Sequence, residues 1–584
     1  MVENSAIPRP EHPKPQLERE DWLNLNGQWT YTFDFGKSGA ERGFKDSNGF
    51  NEKITVPFCP ESELSGVGYK DFIEMMWYHK DILIPDNWKD KKVILHFGAV
   101  DYIAEIFVDG KYVGRHFGGS SSFSFDISDF VSAGGKHSLV VHVTDDVRSG
   151  KQPGGKQSFK FKSAACHYTR TTGIWQTVWL EAVSESSLVS CKIVPDLDNN
   201  KFFFIPLFKG MKENMSMLIT IRAGTKIVAK AGYVAQNGIP LACELVNPKV
   251  WSPESPFLYD ILFEVSDGGK IVDSVKSYAG MRKVHIEGDS LYLNNKPYYL
   301  RLVLDQGFYP DGIWTAPSDA ALKKDIELSI KAGFNGARLH QKVFEERFHY
   351  WADRLGYLTW SEFPSWGTDV KDPVAARNFI TEWAEVVNRD LNHPSIIAWT
   401  PLNETNDTGD GIQHSRFHAD LYDITKTLDP SRPVNETSGY VHVKTDLWTV
   451  HNYDQNPEKL KEQLTPDNEK GVWRNFPDRE VNYQGQPYVV DEFGGIKWVV
   501  GTAFAENTWG YGDAPKSLDE VYSRLEGQVN ALLSLKHIKG YCYTQLTDVE
   551  QEQNGIYNYD RSEKFDMKKI KKIFEKTLTT DKIS

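Results

Sequence analysis

The chain is poor in cysteine, carries no block of basic charge and has no long apolar run, and each shortage excludes something. Its five cysteines, Cys59, Cys166, Cys191, Cys243 and Cys542, are odd in number, far apart and without CxxC spacing. A disulfide framework and a cysteine zinc site are both argued against. Acidic residues number 80 against 67 basic ones, a formal charge of -13 with no long basic stretch, which excludes nucleic acid as a partner. No segment approaches the ~18 apolar residues of a spanning helix, and the opening MVENSAIPRPEHPKPQ lacks an apolar signal core. The expectation is a cytoplasmic protein with no membrane partner. Internal repeats of about 20 to 50 residues and low-complexity tracts are missing as well.

What is present is length and aromatic surface. A chain of 584 residues exceeds one hydrophobic core, and about 100 to 200 residues per domain suggests roughly three domains. The 17 tryptophans offer flat faces that suit sugars and aromatic ligands, although packing accounts for most of them.

From Trp22 to about Glu181, short alternating runs such as KVILHFGAV, YIAEIFVDGKYVG and HSLVVHVTDD predict an all-β unit, best closed as a jelly-roll sandwich. Asp109-Gly110 between two such runs signals a two-residue hairpin. Strand-like runs continue from Glu185 to Tyr278, with the turn-rich WSPESP among them, and fit a smaller immunoglobulin-like sandwich. After Met281 the rhythm becomes strand, loop, helix. Ser318 can cap a helix presenting Leu322, Ile326 and Ile330 and ending at Gly333, and a second helical run, Phe344 to Leu355, stops at Gly356. Strand candidates YYLRLVL, FNGARLH, YLTWSEF, IIAWTPLNE, RPVNETSGY, DLWTVHNY, PYVVDEFG and KGYCYTQLTD make eight, the number in a (β/α)₈ TIM barrel. The expected divisions are 1–184, 185–284 and 285–584.

In such a barrel, functional side chains sit where strands end. IIAWTPLNE stops on Asn403-Glu404, and PYVVDEFGG leaves Asp491 and Glu492 at the rim. Two carboxylates facing one cleft from separate strand ends are what retaining glycoside hydrolysis requires, one as proton donor and one as nucleophile about 5 to 5.5 Å away. The triplet Asn-Glu-Thr recurs at Asn435–Thr437, where Glu436 is expected to be a rim residue without chemistry.

At these residues the sequence resembles glycoside hydrolase family 2, which includes β-galactosidases, β-glucuronidases and β-mannosidases. LNLNGQWTYTFD, TRTTGIWQTVWLE and YAGMRKVHIEGDSLYLNNKPYYLRLV are similar to the family's opening, sugar-binding and barrel lead-in segments. HPSIIAWTPLNE resembles its acid/base segment and PYVVDEFGG its nucleophile segment. The resemblance implies Glu404 as acid/base, Glu492 as nucleophile, Asn403 and His340 as sugar contacts, and Arg338 and Tyr453 as orienters of the nucleophile. His451, two residues before Tyr453, points the same way on a strand.

Several positions depart from the family. Leu304-Asp305-Gln306 stands where Arg-His-Glu is common, and SAACHYTRTTGIW brings His167 and Arg170 where β-galactosidases and β-glucuronidases have an Asp. Tyr543 and Gln545 replace a strand-eight Trp, and no Asn-x-Lys uronate clamp follows in QLTDVEQEQNGIYNYDR. His167, Arg170, Asp305, Trp366 and Tyr543 complete the candidate substrate-binding set.

The resulting expectation is an exo-acting, retaining glycoside hydrolase that removes a terminal galactoside-type, uronide or arabinoside sugar from an oligosaccharide or glycoside, with no organic cofactor and no metal site. Homo-oligomerisation stays open. The alternative is a non-catalytic carbohydrate-binding protein with a degenerate barrel.

Overall fold

The computed structural model describes residues 7–405, 411–500 and 507–577. The terminal parts of the first and third expected domains, residues 1–6 and 578–584, lie outside the described residues.

Residues 22–183 form two antiparallel sheets face to face. One has the strand order Trp22–Asn24, Val178–Val183, Lys92–Phe97, Phe123–Asp126. The other runs Glu52–Val56, Gly27–Phe33, Met75–Leu83, Lys136–Thr144, Ile103–Val108, Lys111–Phe117. Alternate side chains, among them Ile54, Val56, Leu95, Phe97, Ile106, Val141, Val178 and Leu180, fill the space between the sheets, as period-two patterning demands. Asp109 and Gly110 have φ of 48° and 73°, the two positive values of a type I′ turn. Residues 187–279 build the second sandwich from a three-stranded and a four-stranded sheet, joined through Phe202, Phe204, Ile219, Ile221 and Phe263.

The barrel strands are β1 (Leu300–Asp305), β2 (Gly336–Leu339), β3 (Leu358–Glu362), β4 (Ile396–Thr400), β5 (Thr437–Ser438), β6 (Trp448–Asn452), β7 (Tyr488–Gly494) and β8 (Ile538–Thr544). Seven of them share one parallel sheet in the order β4-β3-β2-β1-β8-β7-β6, while β5 pairs with Leu402–Asn403, just beyond β4. Pro433 precedes β5 and can donate no ladder bond. Among the described residues no ladder joins β5 to β6. Side chains close that seam: the Gly439 N–H donates to Thr449 Oγ1 at 2.9 Å, and Thr449 Oγ1 donates to Asn435 Oδ1 at 3.3 Å. The multidomain fold is thus jelly roll, immunoglobulin-like sandwich and TIM barrel.

The helix Asp319–Ala332 starts at Ser318, whose hydroxyl accepts from Ala321 N–H, and stops at Gly333 with φ of 101°. Its buried stripe runs through Leu322, Asp325, Ile326 and Ser329, so Ile330, expected on that face, lies at its edge and is 39% exposed. No helix among the described residues is long and apolar enough to cross a membrane.

Candidate active site

Neighbouring parallel strands share side-chain parity, which decides what faces the barrel axis. Leu304 of β1 pairs with Arg338 of β2, and both point inward, Leu304 into the cluster with Trp360, Ala398 and Cys542. Arg338 is fully buried and forms the centre of the site. One guanidinium nitrogen donates to Glu492 Oε1 at 2.9 Å, another to Asn403 Oδ1 at 2.6 Å, and Nε bonds the Glu362 carboxylate. His340 Nδ1 lies 3.0 Å from both Arg338 and Glu362. Burial, then the charges of Lys156 and Arg338, hold His340 well below its ordinary range, so it is neutral.

Glu492 is 4% exposed. Its second oxygen accepts from the Tyr453 hydroxyl, and Tyr453 lies 3.0 Å from Thr544 Oγ1 and stacks flat on Tyr511. Burial favours a protonated carboxyl, but His451, Arg338, His340 and the Tyr453 hydrogen bond outweigh it and bring Glu492 down to about 2. The carboxylate is ionised and aimed by two donors.

His451 bridges the two strand ends. Its Nδ1 donates to Glu404 Oε1 at 2.7 Å and lies 3.5 Å from Glu492 Oε2, and its Nε2 donates to Ser438 Oγ at 3.0 Å. The Ser438 hydroxyl in turn donates a hydrogen bond to Asp491 Oδ2. Burial opposes a charge on His451, yet Glu492 and Asp491 raise it to about 10. Gly439, with φ of 60°, leaves room for this ring: a Cβ there would sit 2.6 Å from His451 Cδ2.

Glu404 has φ of 48°, a left-handed conformation that is rare and costly outside glycine. Its side chain keeps 17% of its surface accessible. One oxygen of Glu404, one of Glu492 and a His451 nitrogen all lie within 4.8 Å of one another. This is the one three-residue cluster of metal-ligating side chains among the described residues. A doubly donating His451 offers no lone pair, so the trio does not fit a cation. Beside it, Asn403 Nδ2 is buried without a partner and faces no acceptor of the protein.

The sandwich reaches this rim. His167 sits 5.4 Å from the Trp366 ring, and both line a cavity of about 530 Å³ with Gly154, Gly155 and Phe159. Burial and the nearby Lys156 and Lys160 lower His167 to about 4. Trp366 donates through its indole N–H to the Asn403 carbonyl at 3.1 Å.

Three expected contacts are corrected. Arg170 does not overhang the barrel mouth; its guanidinium is spent on the carbonyls of Ser158, Lys160 and Lys70 and stacks on Phe72. Asp305 pairs with Leu339, and Tyr543 with Val303, both of the outward parity. Asp305 therefore accepts from Gly307 N–H among Asp325, Arg561 and Lys342, where burial raises it to about 6. Tyr543 packs against Phe493 and Phe574, and its neighbour Thr544 faces the site instead. Glu436 is also no rim residue, being fully buried. Sequence reasoning missed Lys156, Glu362, Asp491 and Ser438 as parts of the site. Glu362 and Asp491 were readable as acids at strand ends; Lys156 had no such signal, since its place depends on how two domains meet.

The chain matches three successive models of one family: the sugar binding domain of glycosyl hydrolases family 2 at 69–180, glycosyl hydrolases family 2 at 214–282, and the family 2 TIM barrel domain at 284–497. It belongs to glycoside hydrolase family 2. Among its relatives, a β-galactosidase of Thermoanaerobacter pseudethanolicus is 26% identical over 75% of this chain and 58% of its own length. A putative β-glucuronidase of Formosa agariphila is 28% identical over 70% of this chain and 50% of its own length. The chain thus spans little more than half the length of these relatives. The crystallised β-glucuronidase of Ruminococcus gnavus superposes with a TM-score of 0.80 at 20% identity, covering 96% of this chain and 99% of the other, which is a likeness of fold.

Proposed function

We propose that this chain is an exo-acting glycoside hydrolase that releases a terminal sugar by double displacement with retention of configuration, and that its three units divide near residues 184 and 284. The observation that carries the mechanism is the pair Glu404 and Glu492, on separate strand ends with oxygens within 4.8 Å. That spacing suits direct attack and leaves no room for the intervening water of an inverting enzyme. Glu492, ionised and held by Arg338 and Tyr453, attacks the anomeric carbon as the bond to the leaving oxygen breaks. Glu404 gives that oxygen its proton. In the second step Glu404 takes a proton from water, whose oxygen attacks the same carbon and displaces Glu492. The intact set of both carboxylates with their donors speaks against a purely carbohydrate-binding barrel. Five free cysteines suit a reducing cytoplasmic setting.

A panel of aryl galactosides, glucuronides, galacturonides and arabinosides, followed by proton NMR of the first-formed sugar, tests the reading. The expected result is turnover of at least one member with the original anomer appearing first. Release of the opposite anomer would refute the mechanism, and inertness toward every member would refute the hydrolase.

A further inference from the structure

Three lysines are buried among the described residues, Lys156, Lys342 and Lys564. Two are satisfied: Lys342 Nζ donates to the carbonyls of Gly307 and Trp314, and Lys564 Nζ pairs with Asp548 at 2.7 Å. Lys156 is 5% exposed, and its ammonium has no hydrogen bond or ion pair; only the Trp366 ring lies beneath it, at 4.0 Å. Burial opposes its charge, but Cys166 and the carboxylates of Glu552, Glu404 and Glu492 outweigh it and raise Lys156 above its ordinary value, so the ammonium stays charged. The chain fixes it firmly. Gly154 and Gly155 N–H groups donate to the Trp366 and Pro364 carbonyls, and the Lys156 carbonyl accepts from Tyr168 N–H at 2.8 Å. Gly155, with φ of 57°, permits this contact, because a Cβ would lie 2.4 Å from the Gln341 carbonyl.

Two further donors around the same Trp366 are orphaned. Gln341 accepts the Trp366 backbone N–H through Oε1 at 3.2 Å and leaves Nε2 unpartnered, and Asn403 accepts the indole N–H through its carbonyl and leaves Nδ2 unpartnered. Both residues are 1% exposed. Two buried carboxamide donors without acceptors, and the Lys156 ammonium without a hydrogen-bond partner, stand beside the Glu404 strand end. Of the carboxylates that raise Lys156, Glu552 has its oxygens already taken by the Tyr168 hydroxyl and Asn554 Nδ2, and none lies within ion-pair distance of Lys156.

We propose that Lys156, with the Gln341 and Asn403 carboxamides, receives an anionic oxygen group on the terminal sugar, so that the sandwich domain supplies the substrate's counter-charge. The chemistry fits the carboxylate of a uronic acid or a sulfate ester. The cation that β-glucuronidases place after the last strand here arrives from a different domain. This inference rests on the hydrolase reading for its catalytic test but not for its binding test.

The substitutions are Lys156→Met and Lys156→Arg. Turnover of p-nitrophenyl β-glucuronide, β-galacturonide, β-galactoside and 6-sulfo-β-galactoside, and calorimetric binding of glucuronic acid, galacturonic acid and galactose, are measured for each. The wild type is expected to prefer acidic sugars, and Lys156→Met to lower the acidic-to-neutral ratio of kcat/KM by about 30-fold or more, while Lys156→Arg restores part of it. Preference for uronides over the sulfated sugar, or the reverse, assigns the source of the charge. An acidic-to-neutral ratio within threefold of wild type, or a wild type that favours neutral sugars, would overturn the proposal and leave the hydrolase standing. Charge-dependent binding of uronic acids without turnover of any glycoside would do the opposite.

Discussion

The chain writes Asn-Glu-Thr twice, at Asn403–Thr405 and Asn435–Thr437, on adjacent strand ends of one barrel, and the two copies end in different physical states. Glu436 is fully buried. Its Oε1 accepts from Val443 N–H at 2.6 Å and Lys444 N–H at 3.1 Å, and its Oε2 meets His442 Nδ1 at 3.2 Å. Burial opposes its charge, but His442 and these donors hold it below the usual carboxylate range. Both of its oxygens are engaged inside the protein. Glu404 has one bond from His451 and a partly open side chain. A carboxylate can act on a ligand only if the fold leaves part of it unsatisfied. The triplet does not encode that; the complement of donors around it does.

The largest effect should come from the group facing Glu404 across the cleft. Glu492→Ala removes the attacking atom for every leaving group, and kcat/KM should fall by about 10⁵-fold or more, about 7 kcal/mol of transition-state stabilisation. Loss of less than about a hundredfold on all substrates would show that another group attacks. Glu404→Ala should cost about 10² to 10⁴-fold on poor leaving groups and far less on activated aryl glycosides, whose departure needs no proton. Azide should restore turnover as a glycosyl azide. A uniform loss for good and poor leaving groups would break the assignment of the acid.

The second copy should reverse the ranking between activity and stability. Glu436→Ala leaves His442 buried opposite nothing and two amides without acceptors, a change that typically costs about 3 kcal/mol or more. Its denaturation midpoint should drop well below that of Glu404→Ala. At temperatures where it stays folded, kcat/KM should remain within about tenfold of wild type. A stable but inactive Glu436→Ala would exchange the roles of the triplets.

How much of this was legible beforehand depended on parity and distance along the chain. Period-two runs and the Asp109-Gly110 turn defined the sandwiches, and strand-helix alternation defined the barrel. Arg338 and His340, and likewise His451 and Tyr453, are two residues apart and share a face at their strand ends, whereas Glu404 joins its neighbour Asn403 through a left-handed φ of 48° and Glu492 follows a register shift in β7. Asp305 and Tyr543 also end strands but carry the opposite parity, which shifts by one residue at each end and was not fixed by the sequence. Arg170 and Lys156 show the other limit. Both belong to the loops between residues 150 and 172, and which one reaches the barrel depends on the docking of two domains: Arg170 turns back into its own loop carbonyls, and Lys156 crosses over.

The histidine partners of the two triplets allow a smaller test by pH. His451 is raised from 6.5 to about 10, so the stability it contributes is fully present below its unfolded value and is lost as pH climbs from about 6.5 toward 10. His442 is raised as well, chiefly by Glu436 once burial is overcome. The wild-type thermal midpoint should decline across that window, and His451→Asn should flatten part of the decline. The same slope in the variant would mean that His451 carries no excess proton.

The smallest effect separates the two positions by backbone alone. Glu404 holds φ of 48°, where a residue with Cβ is disfavoured by about 1 to 2 kcal/mol and glycine is not. Glu436 is outside that region, so glycine there only adds unfolded-state entropy. With both carboxyls already removed, Glu404→Gly should therefore be more stable than Glu404→Ala by up to about 1 kcal/mol, whereas Glu436→Gly should be less stable than Glu436→Ala by about 0.5 to 1 kcal/mol. Chemical denaturation of the four variants reads both differences. The same sign at both positions would mean that Glu404 relaxes its backbone once its carboxylate is gone, and that the bond to His451, rather than the strand end, imposes the left-handed turn that presents the acid to the cleft.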